Sequence, residues 1–279
     1  MSRRTIADLR ALHAAGRRFT VATAWDRPTS EVVEAAGIDA ILVGDSLAQV
    51  ALGHESTVRV GMSEMLHHVA AVVRSSHEAL VIADMPFLSY PDAPTAAENA
   101  GRFLRDAGAG AVKLEGGAAM APIVAALTRS GVPVIGHIGL TPQSALVDGK
   151  PRARGKQVDA ALQLLDDARA LEAAGASAIV IELVPAELAS AITARIGIPT
   201  IGIGAGAGCS AQVQVLADLL GLLAGTPPRH ATPYATLRDS AITALQTWRS
   251  DVEAGRAPGA AQQVVADDAL RAALDALPR

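Results

Sequence analysis

The stretch AVKLEGG, residues 111–117, opens like a short apolar strand and then sets a lysine and a glutamate two residues apart, Lys113 and Glu115. Residues i and i+2 of a strand point to the same face. A cation and an anion therefore stand side by side where the strand ends, and the two glycines that follow, Gly116 and Gly117, are expected to leave room for a ligand. An ordinary strand-end salt bridge would give the same pattern, so the rest of the chain has to decide what the pair is for.

Six further runs resemble the start of that stretch: FTVATA (19–24), AILVG (40–44), ALVIA (79–83), VPVIGHI (132–138), AIVIE (178–182) and IPTIGIG (198–204). A weaker eighth candidate lies near GLLAG (221–225). Most are rich in Val and Ile and do not alternate with polar residues, as expected of strands covered on both faces. Between them lie Ala/Leu-rich segments with helical spacing, such as TSEVVEAAG (29–37) and AALQLLDDARALEAAGA (160–176). AAG or DAG precedes a strand at 35–37, 106–108 and 173–175, with glycine as the left-handed stop of a helix. About eight such units in a row suggest a (β/α)8 barrel, one domain spanning 1–279. A doubly wound open sheet is the alternative, and periodicity alone does not separate the two. Beyond Tyr234 no strand is expected. Helices are predicted over 236–255 and 262–277 around a Gly/Pro break at 255–260, making 234–279 a helical C-terminal extension.

Half of the 279 residues are hydrophobic (50%), enough for a sizeable core, and the net charge is −4. Without a basic excess, nucleic acid and anionic membrane surfaces are poor partners. A single cysteine, Cys209, allows no disulfide within the chain and suits a reducing compartment. The first twenty residues read as an amphipathic helix rather than a signal peptide, and no apolar run reaches 18 residues. A cytoplasmic protein is expected.

In a parallel barrel, chemistry gathers at the carboxyl ends of the strands. The runs lead in turn to Trp25–Asp26, to Asp45 and Ser46, to Asp84, to Lys113 and Glu115, to His137 and then GLTPQS, and to Glu182. One Asp after a strand is usually a helix cap. Ionisable or polar groups at six successive ends point instead to a convergent acidic site. Asp45, Asp84, Glu115 and Glu182 would repel one another at low dielectric. Lys113 offsets one charge and a divalent metal would offset two. Hard oxygen ligands favour magnesium or a similar ion over zinc, for which no His/Cys spacing exists. The adjacent His67 and His68 would point about 100° apart on a helix and are expected to be ordinary helix residues. GIGAGAGC (202–209) fits neither a dinucleotide fingerprint nor a P-loop. It is expected to be a tight strand-to-helix turn passing close to a ligand or a neighbour, with Cys209 structural.

LVGDSLAQVALGHEST (42–57), IADMPFLSY (82–90), VKLEGG (112–117), VIGHIGLTPQS (134–144), ALEAAGASAIVIELVP (170–185) and IPTIGIGAG (198–206) resemble, in the same order, the ketopantoate hydroxymethyltransferase family. The resemblance covers roughly residues 5–259. It implies a (β/α)8 barrel of the wider group that includes phosphoenolpyruvate mutase and isocitrate lyase. It implies that Asp45 and Asp84 hold magnesium with Glu115 close by, and that Asp45, Ser46, Asp84, Lys113 and His137 line the 2-oxo acid site. Glu182 would be the general base. The implied co-substrate is 5,10-methylenetetrahydrofolate, the acceptor 3-methyl-2-oxobutanoate and the product 2-dehydropantoate. A homo-oligomer, typically a decamer, is implied as well. The chain departs from the family pattern at Trp25, across DGKPRARGK (148–156) and CSAQVQVLAD (209–218), and at PRH (228–230). Two other readings are a transferase or C–C lyase acting on another 2-oxo acid, and a non-catalytic binding protein. The catalytic-cysteine loop of such lyases is missing, and keeping all five of Asp45, Asp84, Lys113, Glu115 and Glu182 argues against the last.

Overall fold

The computed structural model of the chain describes residues 3–149 and 152–278. Eight parallel strands close into one barrel in chain order: β1 Phe19–Thr23, β2 Ala40–Val43, β3 Leu80–Asp84, β4 Ala111–Lys113, β5 Val134–Gly139, β6 Ala178–Glu182, β7 Thr200–Ile203 and β8 Ala211–Gln214. The register Phe19↔Ala211 between β1 and β8 completes the ring. Closure excludes the open sheet. Helices α1 Ile6–Ala14, α2 Arg27–Ala35, α3 Leu47–Val50, α4 Met62–Ser75, α5 Ala93–Gly101, α6 Ala121–Arg129, α7 Ala145–Asp148, α8 Val158–Ala173, α9 Ala186–Thr193 and α10 Leu216–Leu220 connect or precede the strands.

The side-chain period of two sorts every strand into an inner and an outer set. Val21, Leu42, Leu80, Ile82, Ala111, Ile135, Val180, Ile201 and Val213 form one cluster inside the barrel. Their neighbours one residue on, such as Ile41, Val81, Val112 and Ile179, belong to the separate cluster between strands and helices. Both faces are dry, which explains the unbroken apolar runs. Helix α1 packs Leu9, with Ile6 and Leu12, on the inner cluster. The Arg4 amide donates to the Glu78 carbonyl just before β3, so α1 lies at the amino ends of the strands, away from their carboxyl ends.

Three sequence expectations are corrected here. The eighth strand is AQVQ, residues 211–214, and GLLAG forms no strand. AQVQ alternates buried and half-buried residues, so it lacks the apolar signature of the other seven. Secondly, β7 and β8 are joined by the loop 204–210 with no helix between them. That loop is the glycine-rich segment, and it is tight because it runs against α9. A Cβ on Gly206 would stand 2.4 Å from the Ala186 Cβ, and one on Gly208 would overlap Ser190. Thirdly, the last helix is shorter than expected, Asp268–Asp275 instead of 262–277.

The chain divides into two compact units, Met1–Tyr234 and Ala235–Arg279. The second contains α11 Leu237–Glu253 and α12 Asp268–Asp275. No residue of α11 is buried, and Leu245, Trp248 and Val252 recur along it at helical spacing. Among the described residues no helix is long and apolar enough to cross a membrane.

Candidate active site

Continuing the inner parity by two residues from Ile82, Ala111, Ile135 and Val180 reaches Asp84, Lys113, His137 and Glu182. One more step along the β4 segment reaches Glu115, because the chain keeps pairing with β5 past Lys113: Leu114 N donates to Ile135 O and Gly116 N to His137 O. Lys113 and Glu115 therefore point inward. Lys113 also lines the small void among Val21, Leu42, Ile82 and Ile135, so its stem runs through the apolar interior while its ammonium reaches the carboxylates.

Asp84 and Lys113 are register partners on adjacent strands, and Lys113 Nζ donates to Asp84 Oδ1 at 2.6 Å. Glu115 Oε1 lies 3.6 Å from the same ammonium. Asp45 enters from the turn after β2, where its amide donates to Asp84 Oδ2 at 3.1 Å. His137 bridges two acids, with Nδ1 3.3 Å from Glu115 Oε1 and Nε2 3.2 Å from Glu182 Oε2. These two contacts are close in distance but not aligned as hydrogen bonds, and Glu115 Oε1 and both His137 nitrogens remain without a hydrogen-bond partner. Asp45, Asp84, Lys113, Glu115 and His137 are buried, whereas the Glu182 side chain keeps 15% of its surface exposed.

The electrostatics follow from this crowding. Burial, then Asp84 and Glu115, push the Asp45 carboxyl well above the usual range. Burial also raises Asp84, although Lys113 pulls the other way. For Glu115 burial is outweighed by Lys113 and His137, which hold it below the ordinary value. Lys113 is disfavoured by burial, but Asp84, Glu115 and Asp45 together raise it, so it stays charged. Burial and Lys113 lower His137, yet Glu115 and Glu182 prevail and push it up to about 9.

Asp26 is a helix cap, accepting from Thr29 N at 2.9 Å, and takes no part in the cluster. Ser46 follows Asp45 and its hydroxyl makes no hydrogen bond among the described residues. His68, on α4, is bonded to the Trp25 carbonyl at 2.6 Å and meets His67 edge-on. Cys209 is buried beside Gly202. Of the glycines after Glu115, expected to leave room for a ligand, Gly116 lines a cavity beside the cluster, although a Cβ there would stand 2.5 Å from Met120, whereas one on Gly117 would overlap Asp167. Of the departing loop 148–156, Lys150 and Pro151 lie outside the described residues.

Sequence reasoning missed Gln143 and Tyr90. Gln143 donates through Nε2 to Asp45 Oδ2 and to Met85 O, both at 2.9 Å, and through its backbone N–H to Glu115 Oε2 at 3.0 Å. Tyr90 OH donates to Gln143 Oε1 at 2.5 Å. Both lie in stretches that follow strands, but a polar residue in a loop carries no periodic signal, and only its burial shows its part. Beside the cluster lies a cavity of about 210 Å³ walled by Tyr90, Glu115, Gln143, Phe87 and Met120.

Whether these residues suit a hard divalent cation can be judged from charge and donors. Glu115 Oε1 is buried and unpartnered, and Asp45 Oδ1 accepts no hydrogen bond. Three carboxylates are buried together, and burial with Asp84 and Glu115 beside it raises Asp45, a crowding that a divalent cation bound there would offset. Among the described residues no three His, Cys, Asp or Glu side chains already converge as a ligand set, so the fit is one of chemistry and charge.

The closed parallel barrel, with its acids at the carboxyl ends of the strands, is similar in fold to solved phosphoenolpyruvate mutase/isocitrate lyase-like proteins. Phosphonopyruvate hydrolase, solved in complex with oxalate and Mg++, matches with a TM-score of 0.61 and 17% identity, over 94% of this chain and 93% of that one. The 2,3-dimethylmalate lyase, a member of that superfamily, matches with a TM-score of 0.57 and 18% identity, over 97% and 95%. At such identities the likeness is one of fold. The particular family comes from sequence: the model of ketopantoate hydroxymethyltransferase matches residues 3–260. The 3-methyl-2-oxobutanoate hydroxymethyltransferase of Chloroflexus aggregans is 52% identical over 257 residues, 92% of either chain. The chain belongs to the ketopantoate hydroxymethyltransferase family.

Proposed function

We propose that this enzyme transfers a hydroxymethyl group from 5,10-methylenetetrahydrofolate to 3-methyl-2-oxobutanoate, giving 2-dehydropantoate and tetrahydrofolate, with magnesium as its metal. The observation that carries the reading is the sorting of charge at one barrel mouth. A buried ammonium is bonded to Asp84 among further acids, and a half-open Glu182 stands at the edge. The family membership and the 52% identical relative support the same chemistry.

Asp45 and Asp84 would hold the ion, with Glu115 beside it. Magnesium bound there supplies Lewis acidity toward the keto oxygen of the 2-oxo acid and so acidifies its C3 proton. Lys113, kept charged by three acids, and the Ser46 hydroxyl receive the substrate carboxylate. Glu182 is the base that takes the C3 proton. Its partial exposure leaves it open to substrate, and the His137 ring 3.2 Å away orients its carboxylate. The electron pair left at C3 then attacks the methylene carbon, which loses both of its bonds to folate nitrogen, each nitrogen leaving with its bonding pair; water supplies the hydroxyl oxygen, and its proton together with the one taken from C3 ends on the tetrahydrofolate nitrogens.

We also propose a cytoplasmic homo-oligomer, with one barrel domain and residues 234–279 as its helical extension. The Leu245, Trp248 and Val252 stripe of α11 offers apolar surface that a second copy would cover. Sedimentation of a Trp248→Glu variant as smaller particles would support this.

The activity test incubates the protein with magnesium, 3-methyl-2-oxobutanoate and methylenetetrahydrofolate and follows 2-dehydropantoate, while C3–H exchange in D2O is followed without folate. Both signals are expected, and both are expected to vanish with EDTA and return with magnesium. Exchange without product would keep proton abstraction and remove the proposed donor. Absence of both in folded, metal-loaded protein would remove the enzyme reading.

A further inference from the structure

Gln143 is 5% exposed and sits in the short turn Pro142–Ser144 that follows β5. Its bonds reach the ends of three other strands: Asp45 after β2, Met85 after β3 and Glu115 after β4. Both hydrogens of its amide nitrogen are used, on Asp45 Oδ2 and the Met85 carbonyl, and its amide oxygen accepts from Tyr90. The direction of the amide therefore matters. Reversed, it would set an oxygen against a carboxylate and a carbonyl with no hydrogen between them. Tyr90 OH prevents this by donating to the oxygen side, and is itself held by the Glu115 amide at 3.3 Å. Tyr90 cannot exchange donor for anion here, since burial and then Glu115 raise its hydroxyl far above its ordinary value.

We propose that Gln143 is a positioning residue of the active site and that Tyr90 keys the direction of its amide. The side-chain amide ties down Asp45 Oδ2, while the backbone N–H of the same residue holds Glu115 Oε2, and the opposite oxygens, Asp45 Oδ1 and Glu115 Oε1, are left to face a cation and the 2-oxo acid. The pair also forms the partition between the carboxylates and the neighbouring cavity, which Tyr90, Gln143 and Glu115 wall together. This rests on the functional reading above. Partners of ligating carboxylates typically change metal affinity or activity 10- to 100-fold when removed, roughly the scale expected here.

The test uses the full-length protein and compares parent, Gln143→Leu, Tyr90→Phe and the double variant. Three quantities are read: magnesium affinity by calorimetry, C3–H exchange of 3-methyl-2-oxobutanoate by proton NMR, and thermal unfolding without metal. Gln143→Leu is expected to weaken magnesium binding and slow exchange about 10- to 100-fold, and Tyr90→Phe about 10-fold. Because Tyr90 acts through Gln143, the double variant should be no worse than Gln143→Leu alone, a non-additivity that separate packing roles would not produce. Should Gln143→Leu fail to fold, Tyr90→Phe, which removes one oxygen, still decides the matter. Magnesium affinity and exchange within twofold of the parent in Tyr90→Phe would overturn the keying, and the same result in Gln143→Leu the positioning. Additive losses would also overturn the keying. A parent that neither binds magnesium nor exchanges the proton would overturn the functional reading and this inference together, whereas a competent parent with indifferent variants would overturn this inference alone.

Discussion

The barrel interior and the barrel mouth are built from the same strands, one inward residue apart, yet they obey opposite rules. Inside, Val21, Leu42, Ile82, Ile135, Val180, Ile201 and Val213 close on a void of about 10 Å³, and nothing polar but the stem of Lys113 enters it. Two residues further along, Asp84, Lys113, His137 and Glu182 replace them. The interior is stabilised by transfer of apolar surface from water and by close packing. The mouth is held by mutual neutralisation, in which each charge is tolerable only because another is within a few ångströms. The difference teaches that stability resides in the lower layer and that the upper layer is a strained arrangement kept for chemistry.

Lys113→Met breaks this contrast most directly. It leaves Asp84 and Glu115 buried without their cation and should cost about 3–5 kcal/mol in urea unfolding at pH 7, with exchange abolished. A cost below about 1 kcal/mol, well under the scale for a broken buried pair, would mean that protons already neutralise these acids. Glu182→Gln should slow C3–H exchange by about 10²–10⁴-fold and leave the unfolding midpoint nearly unchanged. An unaffected exchange rate would show that another group is the base. Leu9→Ala tests the lower layer. It should cost about 2–5 kcal/mol, while kcat and KM of the folded protein stay those of the parent. A large change in KM would mean that the two layers are coupled. Gly117→Ala should cost about 1–3 kcal/mol, since Asp167 has to move and its bond from the Ala118 amide is disturbed.

The smallest expected effect is a pH gradient in the metal-free protein. His137 titrates near 9 when folded, against about 6.5 when unfolded, so the native state binds the extra proton between these values. Its contribution is complete below about 6.5 and fades as the pH rises through 9. Melting temperatures measured in chelator should fall over that window, and His137→Gln should flatten the fall. A parent protein with a level profile would show that His137 is neutral in the fold.

Seven strands were legible because a strand buried on both faces needs an unbroken apolar run. AQVQ was not, because its side chains at Gln212 and Gln214 are only half-buried and can be polar. Asp45, Asp84, Lys113, Glu115, His137 and Glu182 were legible as strand-end residues, and the structure brings all six together. Asp26 stood in an equivalent place and proved to be a cap, since a carboxylate one residue before a helix satisfies an amide of the first turn as readily as it binds a ligand. Gly116 and Gly117 were both read as space; Gly116 does line the cavity, while Gly117 proved to be contact, because what a missing side chain avoids is known only once Asp167 is in place.

Two things were determined by the sequence alone: the succession of strands and helices, and the inward parity that carries Ile82 to Asp84 and Ala111 to Lys113 and Glu115. Both are local periodicities, written within a few residues. Tertiary structure alone decided that β1 meets β8, that 204–210 crosses between parallel strands without a helix, and that Gln143 and Tyr90 connect acids from different strands. Ring closure and the hydrogen bond between Gln143 and Asp45, 98 positions apart, depend on how the strands assemble, and no pattern along the chain encodes that.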